Sequence, residues 1–239
     1  KRHQVKKNLV QVVLSLTPGG TERLVIDMAR ALSQEANVSV ICLDEAGEWA
    51  PQLTEFGVSY EVLGRKPGFD WSLILKIRRI LRRIKNPVVH CHHYTPFVYG
   101  ALASMGIPGS RIVYTEHGRF DDGRPSLKRR IANMFFGHLR GEFFAVSHDL
   151  RKHLIAEGFP AKRMQVNHNG IDVGPIAGAA ERAHARAILG FTDTDTVVGT
   201  IARLHPVKDL GVLLRAVAAL ETHPRVKIAL VGDGQDRAS

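Results

Sequence analysis

The chain has 239 residues, 44% apolar and 23% charged, which is enough for one large globular domain or two small ones. Its formal net charge is +10 and it carries only two cysteines. The composition excludes a disordered or fibrous chain. No apolar run approaches the roughly 20 residues that a membrane helix needs.

The charge is unevenly placed. Residues 1–170 hold 25 Lys/Arg against 15 Asp/Glu, whereas residues 171–239 hold 8 of each. The excess gathers in 76–85 and in Lys128-Arg129-Arg130. In 76–85, Ile77, Ile80, Leu81 and Ile84 recur at helical spacing with basic residues between them, which predicts a cationic amphipathic helix. Two readings stay open: a solvated basic face over a packed apolar stripe, or a surface for anionic lipid headgroups. No nucleic-acid motif or interleaved aromatics accompany these runs, so nucleic acid is not an expected partner. The basic N-terminus leads into no signal-peptide core, and Cys42 and Cys91 sit in apolar runs. Both points predict a cytoplasmic protein with two buried free thiols.

Strand and helix signals alternate along the chain. The first strand, 9–16, ends in Thr17-Pro18-Gly19-Gly20-Thr21-Glu22 and a helix over 22–34. The glycines there suit a tight turn and close backbone approach, and Thr21 suits a helix cap. Strand 38–43, helix 49–56, strand 58–63 and helix 71–84 follow.

The next strand, 88–91, runs into His90-Cys91-His92-His93, and helix 96–104 follows. Residues two apart on a strand share a side, so His90 and His92 form a pair. A metal site would need further ligands, for which His117 and Asp121 are the candidates. No second spaced cluster is present, so the pair reads as cleft lining or as satisfied core histidines, and no metal is expected.

Strand 111–115 leads to Thr115-Glu116-His117-Gly118, which places His117 at the ligand crevice of a parallel sheet. Helix 125–138 and strand 142–146 precede Ser147, an N-cap candidate for helix 148–157. Strand 164–166 is followed by Asn169-Gly170-Ile171-Asp172, suited to a turn with positive φ.

After Asp172 a small-residue, Pro/Gly-bearing segment breaks the alternation, and a domain boundary is placed there: 1–172 and 173–239. Helix 180–189, strand 196–201, helix 210–220 and strand 226–231 follow. Between strand 196–201 and its helix lie Arg203 and Lys208, two cations beside unpaired N–H groups, a seat for a phosphate or diphosphate. The last strand ends in Gly232-Asp233-Gly234, whose glycines would admit a ligand close to the backbone. Two strands make a thin core, so the chain reads as ending inside its second domain.

Taken in order, the Gly-Gly-Thr-Glu turn, His-x-His, Thr-Glu-His-Gly, Ser147, Asn169-Gly170-Ile171-Asp172, Arg203 with Lys208, and Gly232-Asp233-Gly234 resemble the GT-B glycosyltransferases of family 4. The resemblance implies an α/β fold of two Rossmann-like domains with parallel sheets, the second incomplete here. It implies a retaining, metal-independent transfer from a nucleotide-diphosphate sugar, with no cofactor. Arg203 and Lys208 match the residues that hold the donor diphosphate, Gly19 and Gly20 the turn that closes on it, and His117 the His near the transferred sugar. By the same matching, Thr21, His90, His92, Glu116, Ser147, Asn169, Gly170, Gly232 and Gly234 are expected at the substrates. The acceptor is expected to be a glycan or a lipid-linked glycan in polysaccharide or glycolipid synthesis, with possible peripheral attachment to an anionic membrane.

Two departures stand out. The family's Glu-x7-Glu segment is absent from these residues, and Asp209 stands where the family has Gly. Alternatives are a GT-B sugar-nucleotide epimerase and a non-catalytic GT-B binding or partner protein.

Overall fold

The structure, a computed structural model, describes residues 6–118, 127–220 and 225–238. The chain forms two compact units, Lys1–Ile171 and Asp172–Ser239, one residue from the expected boundary.

The first unit is built on a seven-stranded sheet of β1 (Lys7–Val13), β2 (Ala36–Cys42), β3 (Ser59–Val62), β4 (Val88–His92), β5 (Arg111–Glu116), β6 (Gly141–Ala145) and β7 (Met164–Val166). Every pairing is parallel, and the order is β3-β2-β1-β4-β5-β6-β7. The winding reverses between β1 and β4, where neighbouring crossovers leave in opposite directions and open a crevice at the carboxyl ends.

The helices are α1 (Gly20–Leu32), α2 (Pro51–Glu55), α3 (Trp71–Leu81), α4 (Tyr94–Ser104), α5 (Leu127–Phe136) and α6 (His148–Ala156). Two apolar layers result. One joins Val25, Ile26 and Ala29 of α1 and Leu53 of α2 to Val13, Val40 and Cys42. The other joins Ile77, Phe97, Phe136 and Leu154, from α3, α4, α5 and α6, to Val12, Cys91, Tyr114 and Phe143. In this second layer Phe97 stacks on Tyr114, ring centroids 4.2 Å apart.

Element boundaries shift for local reasons. β1 ends at Val13 because Leu14 and Leu16 bond instead to the segment after β2: Leu16 N–H donates to Ala46 O, and Leu14 O accepts from Asp44 N–H. The first helix begins two residues early, at Gly20. α3 stops at Leu81, after which Arg83 and Ile84 make only tighter i→i−3 bonds. The predicted helix start at 125–126 lies outside the described residues.

α3 is a basic helix over a packed stripe: Leu73, Ile74, Ile77 and Leu81 are buried, while Lys76 and Arg79 are exposed. Two of the expected surface cations are instead used internally. Arg78 donates to the carbonyls of Ala103 and Met105. Arg129 pairs with Glu157 at 2.9 Å and lies over the Tyr94 ring. Cys42 and Cys91 are buried and free, and burial pushes the Cys42 thiol up to about 12.

The second unit holds α7 (Ala179–Ile188), β8 (Thr196–Ile201), α8 (Leu210–Ala218) and β9 (Val226–Val231), with β8 and β9 parallel. Short 3-10 turns occupy Pro206–Lys208 and Gln235–Ala238. None of its described residues is buried, and Ile201, Val212 and Val231 are at least half exposed.

Candidate active site

The crevice at the β1/β4 switch point collects polar side chains from three strands. β1 contributes Gln11, the lone polar residue in an otherwise apolar run, fully buried. β4 contributes His90 and His92 and delivers His93 to the start of α4. β5 contributes Thr115 and Glu116 and leads into His117. The parallel register sets Gln11 beside His90 and His92 beside Thr115.

Two hydrogen-bond chains run through this set. In the first, Gln11 donates through its amide nitrogen to Val25 O of α1 (3.3 Å) and faces His92 Nε2 with Oε1 (3.2 Å). His92 Nδ1 then lies 3.1 Å from His117 Nε2. In the second, Thr21 Oγ1 lies 3.0 Å from His93 Nε2, and His93 Nδ1 lies 2.7 Å from Glu116 Oε1. The Tyr114 hydroxyl donates to Glu116 Oε2 at 2.7 Å, and His117 N–H donates to Glu116 Oε1 at 3.1 Å.

His117 is the member of the first chain that opens onto space. With His90, Thr115, Asn169 and Gly170 it lines a cavity of about 330 Å³ floored by Leu24 and Met28 of α1. Its Nδ1 is buried and makes no hydrogen bond of full geometry, although the Asn169 side chain lies close enough to the ring to raise its basicity. Burial, reinforced by the nearby His93, pushes the His117 ring down to about 4, so it is neutral at pH 7. Burial, and then the charge of His117, likewise hold His90 at about 4. His92 lies well below the ordinary histidine range, because it is wholly buried among other histidines.

The structure reassigns several expected contacts. His90 and His92 share a side as predicted, their ring centroids 4.1 Å apart. His92, however, has both ring nitrogens engaged inside the protein, and His90 Nε2 lies 2.9 Å from Thr115 Oγ1. Glu116 is 3% exposed with both oxygens taken, so its part is to hold His93 and the His117 backbone. Asp121, the other candidate metal ligand, lies outside the described residues.

Thr21 does not cap α1. The N-cap is Gly19, and the Thr21 hydroxyl turns to His93. Neither Gly19 nor Gly20 needs a positive φ; Gly19 is extended, and Gly20 leaves open space before the helix. Asn169 and Gly170 also lack positive φ. Ser147 caps α6 as expected, its oxygen accepting from Leu150 N–H at 3.1 Å.

Sequence reading passed over Gln11, His93 and Tyr114 as site residues. A buried glutamine amid valines and leucines was the visible signal for Gln11. His93 could be found only from its backbone: φ is +70°, rare for a residue with a side chain and of the kind stored at functional sites.

In the second unit, Arg203 lies in the loop after β8, and Lys208 closes the Pro206–Lys208 turn before α8. Asp209 is the residue between turn and helix and has φ +44°, ψ +48°. It makes no side-chain cap bond there. The left-handed conformation explains why glycine suits this position. Gly232 and Gly234 make room for protein: a Cβ on either would strike the carbonyl oxygen of Ala202 or Leu204. These glycines let the β9 exit lie against the Arg203 loop, where Leu204 N–H donates to Asp233 O at 2.9 Å.

Comparison with known proteins follows the same lines. N-acetyl-alpha-D-glucosaminyl L-malate synthase of Bacillus anthracis is 26% identical over 176 residues, 71% of this chain and 45% of that protein. The chain thus spans less than half the length of this curated relative. Anabaena Alr3699/HepE, solved with UDP and glucose, superposes with a TM-score of 0.76 at 24% identity, covering 96% of this chain and 62% of that one. A glycosyltransferase of Rickettsia africae superposes with a TM-score of 0.77 at 18% identity, covering 96% and 61%. The architecture is the GT-B fold. The model of Glycosyltransferase Family 4 matches residues 18–174, most of the first unit and two thirds of the chain. The chain belongs to glycosyltransferase family 4.

Proposed function

We propose that this chain is the acceptor-side domain and the first part of the donor domain of a retaining, metal-independent glycosyltransferase that uses a nucleotide-diphosphate sugar. The observation that carries this reading is His117: a neutral, buried imidazole that opens, beside Asn169, onto the 330 Å³ cavity at the switch point. That the Anabaena neighbour was solved with UDP and glucose supports the donor class.

In this reading the Arg203 guanidinium grips diphosphate oxygens while the Lys208 ammonium adds a point charge at the α8 N-terminus. As the bond from sugar to diphosphate breaks, negative charge grows on the leaving oxygen, and these cations stabilise it. Within the first unit, open space at Gly20, the first residue of α1, leaves that helix's N-terminal N–H groups able to meet an anion. His117 accepts a hydrogen bond from the sugar. Retention follows from attack by the acceptor hydroxyl on the face that the leaving group vacates.

The acceptor is proposed to be a glycan or lipid-linked glycan at an anionic membrane surface. Support comes from α5, where Leu127, Ile131, Met134 and Phe135 are all more than half exposed beside Lys128 and Arg130. α3 adds exposed Trp71 and Leu75 to its cations. Among the described residues no helix is long and apolar enough to cross a membrane. Sedimentation with anionic and neutral vesicles tests attachment: salt-sensitive binding to the anionic ones is expected, and no binding, or salt-insensitive binding, overturns it.

The function itself is tested by thermal-shift titration of UDP, GDP and ADP and their sugars, without added metal, on this chain and on a longer natural form. Stabilisation of the longer form by one nucleotide, lost in Arg203→Ala, is expected. No stabilisation in either form would leave a non-catalytic binding protein as the better reading.

A further inference from the structure

We infer that Gln11 and His92 are positioning residues that lock the tautomer of His117, so that His117 meets its ligand as a hydrogen-bond acceptor. The inference takes the sugar as that ligand from the function proposed above; the locking itself rests on geometry alone.

The argument starts at a group that cannot change. Val25 O is a backbone carbonyl and can only accept. The Gln11 atom facing it at 3.3 Å is therefore the NH₂, and the Gln11 oxygen is turned to His92 Nε2 at 3.2 Å. Reversing the amide would set two oxygens against each other inside the core, with no water to separate them. An amide oxygen also only accepts, so His92 Nε2 carries the proton. His92 is fully buried, with no carboxylate among its hydrogen-bond partners, so it is neutral and its Nδ1 is a lone pair. That lone pair faces His117 Nε2 at 3.1 Å, so His117 Nε2 carries the proton. On a neutral His117, Nδ1 is then the lone pair; it makes no hydrogen bond of full geometry, and the Asn169 side chain, beside the ring on the same 330 Å³ cavity, is the protein group that competes with a ligand for it.

Each step removes one choice. The orientation of an α1 carbonyl thus reaches His117 through two side chains that never touch the cavity ligand. A lone pair at Nδ1 favours a ligand that presents a hydroxyl or N–H there, and disfavours one that presents an ether or carbonyl oxygen. The chain also ties His117 to α1, the helix that begins at Gly20.

Long-range ¹H–¹⁵N correlation spectra of the histidine-labelled 239-residue chain at neutral pH test this directly. Assignment comes from His92→Ala and His117→Ala. The expected pattern is a protonated Nε2 and an unprotonated Nδ1 on both rings. A protonated Nδ1 on His117 overturns the inference, whether or not any variant folds. In Gln11→Met, which keeps the volume but loses the acceptor, both rings should become mixed tautomers; a folded Gln11→Met with unchanged tautomers overturns the relay. In the longer form, a donor sugar lacking the contacted hydroxyl should lose at least tenfold in kcat/KM against wild type, and less against Gln11→Met. The spectra need no nucleotide. The locked pattern with no nucleotide binding would sink the proposed function and leave the relay standing; nucleotide binding with Nδ1 protonated would do the reverse.

Discussion

His93 Nδ1 lies 2.7 Å from Glu116 Oε1, and both side chains are largely shielded from water, at 15% and 4% exposure. With Thr21 on its other nitrogen, His93 ties the start of α1 to the end of β5 across the switch point. Glu116→Gln keeps the shape but weakens charge-assisted bonds worth roughly 1.5–3 kcal/mol. Urea unfolding should show a loss of that order with an unchanged m-value, and an unaltered midpoint would remove Glu116 from the scaffold.

Acid should weaken the first unit through its buried histidines. His90 and His117 sit at about 4 when folded, below the ordinary value near 6.5. The unfolded chain therefore binds more protons between those limits. Stability is whole above about pH 6.5 and falls as pH drops toward about 4, at about 1.4 kcal/mol per pKa unit for each ring. Midpoints measured from pH 7.5 to 4.5 should fall steadily, and less steeply in His90→Asn. A flat profile would mean the rings are solvated.

Arg203 and Lys208 should act on the transition state. Arg203→Ala or Lys208→Ala, in the longer form, is expected to lose about 1.5–3 kcal/mol, or about 10- to 100-fold in rate. Steady-state kinetics decide it; wild-type kcat in both variants would dissociate these cations from the diphosphate.

Gly234 positions Arg203 at one remove. A methyl group at 234 meets Leu204 O, the residue after Arg203, so Gly234→Ala must push the two segments apart. The expected result is a loss of at least about 1 kcal/mol, as for other forced backbone shifts, together with weaker nucleotide binding. Gly20→Ala, where the added atom meets open space, should fold normally.

Asp209 tests the left-handed joint. Asp209→Val should cost about 1–2 kcal/mol, since a β-branched residue disfavours φ near +44°, whereas Asp209→Gly should be neutral or stabilising. Equal stability of the two variants would show that the joint relaxes freely.

Much of this protein is legible in its sequence. Among the described residues, apolar runs and helical periodicities located the nine strands and eight α-helices, because periods of 2 and 3.6 are properties of local backbone geometry. Apolar patterning lapses after Asp172, the expected boundary, and the two compact units divide one residue earlier. Boundaries slipped where long-range bonds outcompete local preference, as at Leu14–Leu16, which leave the sheet for the segment after β2.

The site divides the same way. In the first unit, strand ends pointed to His117 and His90, since a parallel sheet sends the carboxyl end of every strand to one edge. What each residue does there depends on partners far along the chain. Gln11 and His92 are 81 residues apart, Thr21 and His93 are 72 apart. Whether Gly234 makes space for a ligand or for Leu204 is decided by which backbone folds against it. Sequence determined which chemical groups reach the crevice; tertiary structure decided which remain open to a ligand, because burial and hydrogen bonding consume the rest.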